Sequence, residues 1–191
     1  MIDYTLLVNQ THPLPDDYLD NVELTEIENI DGGTYKIEVR TKEAYLALKS
    51  ALDAVGVTIG VDSCFRTLET QQRIMDNYTQ KYGADYTRRT VAPVGTSEHH
   101  TGLALDIVPF KDGRWITKNA ELVAEKEVFA IIHIFLPEHG FILRYPLGKE
   151  SITGYDYEPW HIRYVGQELA KKLTAEKITL EEYYKTIGES L

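Results

Sequence analysis

The sequence predicts an α+β fold: a single domain built on a small, mostly antiparallel sheet flanked by helices. Short strand-like runs, several of hairpin size, alternate with helical periodicities and do not form long βαβ units. The 191 residues suffice for one sizeable core and are too few for two. No repeat, low-complexity tract or Gly/Ser linker divides them, so residues 1–191 read as one unit.

The first 33 residues, with Pro13, Pro15, Asp16 and Asp17, read as an extended arm with few regular elements. After the turn Asp31-Gly32-Gly33, Tyr35, Ile37 and Val39 alternate with Lys36, Glu38 and Arg40, the period of a half-buried strand. Tyr45, Leu48, Leu52 and Val55 then recur at helical spacing from about Thr41 until Gly56 supplies a C-cap. Val57 to Phe65 is β-rich. Thr67 is placed to cap a second helix carrying Leu68, Gln71, Ile74, Met75, Tyr78 and Tyr82, which ends at Gly83. The stretch up to Thr96 reads as a loop, Leu103–Pro109 as a strand and Ala120–Leu136 as one apolar helix. Phe141–Tyr145 and Trp160–Val165 read as two short strands, and the tail has helical patterning.

Composition excludes several functional classes. Hydrophobic residues at 43% and charged residues at 26% place the chain outside the disordered class. A formal charge of −10 is opposite to the basic footprint of a nucleic-acid binder. No apolar run approaches the roughly 20 residues that cross a bilayer. The opening residues lack a basic start and a cleavable apolar stretch, so the sequence as it stands reads as cytoplasmic; an export segment ahead of it would place it at the cell envelope. Cys64 is the sole cysteine, which removes intrachain disulfides and cysteine-based zinc sites. Its apolar neighbours mark it as an inert buried thiol.

Two stretches could carry chemistry. In Ser97-Glu98-His99-His100-Thr101-Gly102-Leu103-Ala104-Leu105-Asp106, a loop histidine leads into a strand whose aspartate sits between Leu105 and Ile107. A carboxylate there is costly unless it binds a metal or pairs with a charge. In Tyr155-Asp156-Tyr157-Glu158-Pro159-Trp160-His161, Glu158 and His161 flank a Pro-Trp pair, and the proline argues for a loop entering a strand. His99, Asp106 and His161 together offer two imidazoles and one carboxylate, a set that suits zinc with a fourth position open. Spacing alone leaves both a metal site and purely structural roles open. His100, beside a proposed ligand, reads as an outer or exposed residue, and His133 and His139 as structural. The aromatics from Tyr155 to Tyr164 fit a groove wall and a core filling equally well. Arg66 and Arg144 are the candidates for positive charge in a cleft of this acidic protein.

The strings SEHHTGLALD and EPWH resemble the Ser-x-His-x-x-Gly-x-Ala-x-Asp and Glu-x-Trp-His motifs of the zinc D-alanyl-D-alanine carboxypeptidase family. Ser63-Cys64-Phe65-Arg66-Thr67 with Gln71, and Gly140 to Pro146 ahead of Ile152-Thr153-Gly154, extend the resemblance over a catalytic core of residues 57–166. In compactness the chain looks most like the cytoplasmic bifunctional D,D-dipeptidase/D,D-carboxypeptidases of vancomycin resistance; secreted VanY-like and L,D-carboxypeptidase members share the motifs. The resemblance implies one Zn2+ at the sheet, held by His99, Asp106 and His161, with Glu158 as general base and Arg66 steadying the oxyanion. Ser97, Gln71 and Trp160 match positions near the substrate, although Ser97 and Gln71 also suit capping roles. The implied reaction is hydrolysis of the C-terminal D-alanine amide of peptidoglycan stem peptides or of D-Ala-D-Ala. The competing readings are an endopeptidase of the same family and a zinc-bearing module that binds cell-wall peptide without cutting it. Cys64 and Phe65 depart from the Gly and Tyr usual before the arginine, which removes a phenol from the ligand's surroundings.

Overall fold

In the computed structural model, which describes residues 2–188, a hairpin of β1 (Leu24–Glu28) and β2 (Thr34–Glu38) leads directly into α1 (Val39–Asp53). The changeover occurs at Glu38, whose extended backbone and buried carboxylate cap α1 by accepting from the Thr41 N–H at 2.8 Å. α1 buries Tyr45, Leu48 and Leu52, the residues whose spacing predicts it. After β3 (Ile59–Ser63), Thr67 caps α2 (Leu68–Tyr82) by accepting from Thr70 N–H, and Gly83 ends it. A short helix, α3 (Ala84–Thr90), follows.

A 3-10 turn at Glu98–Thr101 then enters β4 (Ala104–Lys111), which continues through β5 (Arg114–Trp115), α4 (Asn119–Ala124) and α5 (Lys126–Phe135). The remaining elements are β6 (Phe141–Tyr145), α6 (Glu150–Thr153), β7 (Glu158–Tyr164), α7 (Gln167–Glu176) and α8 (Leu180–Thr186). The main sheet runs β3-β4-β7-β6 with every pairing antiparallel, and β5 pairs with β4 alone. The α+β architecture with a small antiparallel sheet is therefore as expected. The main core joins α1, α4 and α5 to the sheet through residues such as Leu48, Leu52, Ile107, Phe129, Ile132 and Ile162. A smaller cluster of Leu7, Ile142, Val165, Leu173 and Leu180 seats α7 and α8. Among the described residues, no helix is long and apolar enough to cross a membrane.

Three expectations need correction. The 1–33 segment is more regular than an extended arm: it contains a 3-10 turn at Tyr18–Asp20 and strand β1. Only Ile27 of β1 is buried, so the strand carries almost no apolar alternation to read. The stretch before Thr96 contains α3, whose one buried residue is Thr87; a helix without an apolar face leaves no periodic signal. The apolar helix expected over 120–136 is two helices. Glu125 leaves the helical region at φ −77°, ψ 48°, while the apolar positions on either side keep a continuous pattern.

Gly102 fixes the exit from the 3-10 turn. Its φ is +72°, and a Cβ there would lie 2.9 Å from Leu24 Cδ2 and 3.2 Å from the Glu38 nitrogen. Gly102→Ala combines left-handed strain with a backbone clash and is expected to destabilise the protein by about 1–3 kcal/mol, measured as a lower midpoint in urea.

Candidate active site

Antiparallel pairing brings the separated motifs together. Asp106 on β4 is the register partner of His161 on β7 and of Ser63 on β3, so three neighbouring strands deliver their polar residues to one place. Ser97 begins the 3-10 turn and accepts from the His99 N–H at 3.3 Å, which aims His99 at the same place. The ligating atoms of His99, Asp106 and His161 lie within 4.8 Å of one another. The two imidazoles meet edge to face with centroids 4.9 Å apart.

The protonation pattern fits a cation. His99 Nδ1 lies 2.7 Å from the Cys64 carbonyl, which can only accept, so that nitrogen carries the hydrogen and Nε2 presents a lone pair toward Asp106 Oδ2 at 3.3 Å. His161 Nδ1 lies 3.1 Å from Asp106 Oδ1, a buried oxygen that makes no hydrogen bond. Two imidazole nitrogens and an orphaned carboxylate oxygen converging in a buried pocket are a donor set for Zn2+, with room in the coordination shell for water.

Burial and the Arg66 guanidinium push His99 down to about 4. Burial alone would lower His161 as well, but Asp106, Glu98 and Glu158 outweigh it and lift the ring to about 9. Burial would raise Asp106, yet His99, His161 and Arg66 hold it well below the usual carboxylate range. Glu158, the first residue of β7 and so already in the strand, sits 3.7 Å from His161 Nδ1. Burial, reinforced by Asp106, pushes its carboxyl up to about 8. Two carboxylates that face the same His161 nitrogen are thus driven in opposite directions, the arrangement expected where one holds charge and the other moves a proton.

Arg66 Nη2 donates to Asp106 Oδ2 at 2.7 Å and Nε donates to Ser63 Oγ at 2.9 Å. Gln71, fully buried on α2, lies with Oε1 3.5 Å from Arg66 Nη1 while its Nε2 donates to the Ala92 carbonyl at 2.7 Å. Ser97 and Trp160 line the same cavity, of ≈ 280 Å³, together with Tyr78, Tyr145, Tyr155 and Asp62. All eight site residues singled out in the sequence therefore meet in one place, although Gln71 does so through Arg66.

The structure also assigns the residues left aside. Cys64 is buried and its thiol is pushed up to about 12, chiefly by burial, which makes it inert. His100 is buried behind the site, with Nδ1 2.7 Å from the Arg66 carbonyl and Nε2 accepting from Gly95. His133 Nε2 bonds the Pro159 carbonyl. Arg144 does not reach the cleft: it is 1% exposed and held by Glu98 and Glu181. Sequence reasoning also passed over Glu98 and Arg163, both buried beneath His161. For Arg163 the signal was present, a cation inside an apolar strand.

A family model described as VanY, D-alanyl-D-alanine carboxypeptidase, matches residues 34–167. The chain belongs to the VanY D-alanyl-D-alanine carboxypeptidase family. It is 40% identical to a D-alanyl-D-alanine carboxypeptidase of Enterococcus faecalis (strain ATCC 700802 / V583), over 95% of this chain and 65% of the relative. Among solved VanY structures, VanYB in complex with D-alanine-D-alanine superposes with a TM-score of 0.82 at 38% identity, covering 96% of this chain and 98% of that one. A glutamate-to-alanine variant of the vancomycin-resistance D,D-pentapeptidase VanY from a VanB-type cassette, in complex with Zn(II), gives 0.80 at 37% identity, covering 95% and 99%. The chain spans about two thirds of the length of the curated VanY-family relatives it matches.

The raised groups set a pH dependence for EDTA-treated protein. Unfolded histidine titrates near 6.5 and unfolded glutamate near 4.3, whereas the folded protein holds protons on His161 to about 9 and on Glu158 to about 8. The folded state therefore binds more protons than the unfolded state between pH 6.5 and 9, and stability falls as pH rises through that window. The melting temperature is expected to drop by roughly 5 °C or more from pH 6.5 to pH 9 by calorimetry, and His161→Gln should flatten the decline.

Proposed function

We propose that this protein is a zinc-dependent metallopeptidase that removes the C-terminal D-alanine from peptidoglycan stem peptides or splits D-Ala-D-Ala. The observation that carries the reading is the placement of Glu158, a carboxyl with a strongly raised pKa, in the same cavity wall as the His99–Asp106–His161 donor set. The solved VanY structures with Zn(II) and with D-alanine-D-alanine support both the metal and the substrate class.

Zn2+ held by His99, Asp106 and His161 would lower the pKa of a water toward 7 and polarise the scissile carbonyl. Glu158 takes the proton from the attacking water and delivers it to the nitrogen of the leaving D-alanine, acting as base and then acid. Arg66 supplies fixed positive charge where the carbonyl oxygen becomes an oxyanion, and its planar fork is held by Ser63 and Gln71. Ser97 positions the His99 loop, and Trp160, with Tyr145 and Tyr155, walls the groove in which the peptide lies. A module that only binds peptide would need the donors and the wall but has no use for Glu158.

Zinc-loaded protein incubated with D-Ala-D-Ala, a pentapeptide stem and a tetrapeptide stem is expected to consume at least one of them, followed by mass spectrometry. If all three survive with stoichiometric zinc bound, the proposal is wrong. Glu158→Gln should lower kcat by about 10²–10⁴ while the bound zinc stays at one per chain by metal analysis. Arg66→Ala should cost about 10²–10³ in kcat, with a smaller change in KM.

A further inference from the structure

Beneath His161 lies a buried charge cluster that takes no part in the reaction described above. Glu98 Oε1 accepts from Arg144 Nε at 2.7 Å and from Arg163 Nη1 at 2.9 Å. Arg144 also grips Glu181 with both terminal nitrogens, at 2.6 and 2.9 Å. All four side chains are at most 5% exposed.

The two glutamates are used differently. Glu181 spreads both oxygens over one guanidinium, the bidentate geometry that favours an ion pair. Glu98 serves both arginines through Oε1 alone. Its Oε2 makes no hydrogen bond and faces His161 Nε2, likewise without a partner, at 3.6 Å. That separation exceeds a formed hydrogen bond. The two orphaned atoms complement each other in one arrangement only, with the hydrogen on Nε2. Nδ1, the nitrogen facing Asp106, is then the one left to give up its hydrogen and offer a lone pair.

We propose that Glu98 is a positioning residue: it holds the hydrogen of His161 on Nε2 and so commits Nδ1 to the metal. This rests on the zinc reading given above. Glu98 does for His161 what the Cys64 carbonyl does for His99, so each ligand imidazole is backed by an acceptor that selects its tautomer. The Tyr145 ring packs against the His161 imidazole, with centroids 4.7 Å apart and the two planes tilted by 46°.

Glu98→Gln provides the test, because the arginines retain the amide oxygen and the NH₂ then opposes Nε2–H, donor against donor. Zinc affinity, measured by competition with a chelator, is expected to fall about 10–100-fold. Glu181→Gln perturbs Arg144 in the same cluster without touching His161 and should stay within about threefold of wild type. Equal losses in the two variants, or no loss in Glu98→Gln, would overturn the proposal. Should Glu98→Gln fail to fold, the ¹⁵N-histidine spectrum of zinc-loaded wild type decides: hydrogen on Nε2 with Nδ1 bound is expected, and the reverse sinks the idea. Wild-type protein that binds zinc through Nδ1 yet cleaves none of the three peptides would remove the peptidase reading and leave the role of Glu98 standing. Wild-type protein without zinc affinity would remove both.

Discussion

The rest of the structure depends on the neutral, buried cluster formed by Glu98, Arg144, Arg163 and Glu181. Taking four charges out of water is expensive, and only near-complete pairing makes it tolerable. The pairing in turn dictates where distant segments go. Arg163 spends its remaining nitrogen on the Tyr4 and Leu6 carbonyls, and Asn9 donates to Glu181, so the N-terminal segment is drawn against β7 and α8. Arg144 is on β6, Arg163 on β7, Glu98 in the 3-10 turn and Glu181 on α8. Removing one partner of such a group strands the others, at a cost of about 3–5 kcal/mol. The cluster therefore enforces one arrangement of strands and helices more than it adds net stability.

Above that rigid floor, the sheet solves a different problem. A metallopeptidase site needs imidazoles that are neutral when they bind metal, a carboxylate that stays charged and a second carboxyl that exchanges protons near pH 7. Antiparallel register places Asp106 between His161 and Ser63, with Arg66 Nη2 donating to it at 2.7 Å, and that guanidinium together with the flanking imidazoles holds it well below the usual carboxylate range despite burial. Glu158 enters β7 from the side, beyond the reach of the Arg66 hydrogen bonds, and the same burial raises it. Two carboxylates in one pocket thus diverge because one accepts directly from a guanidinium and the other does not.

How much of this was legible in the sequence follows from the kind of signal each residue emits. β6 was readable as a short apolar run between turns, and α2 because its apolar residues recur at helical spacing and Thr67 and Gly83 mark its ends. β1 and α3 were not, because Leu24-Thr25-Glu26-Ile27-Glu28 does not alternate and Ala84–Thr90 carries no apolar residues at helical spacing. In the site, His99, Asp106, Glu158 and His161 stood out through motif strings, and Asp106 also through its apolar strand. That second rule, a charge in an apolar run, applies equally to Arg144 in Phe141–Tyr145 and to Arg163 in Trp160–Val165. Applied consistently, it would have buried Arg144 instead of placing it in the cleft. It would not have found the partners. Glu181 lies 37 residues from Arg144 on a helix rich in polar residues, and Glu98 lies 65 residues from Arg163 in a short turn, where acidic side chains are ordinarily solvated. A buried charge announces itself through its apolar neighbours, whereas its counter-charge, sitting in a polar context, becomes visible only when the fold closes.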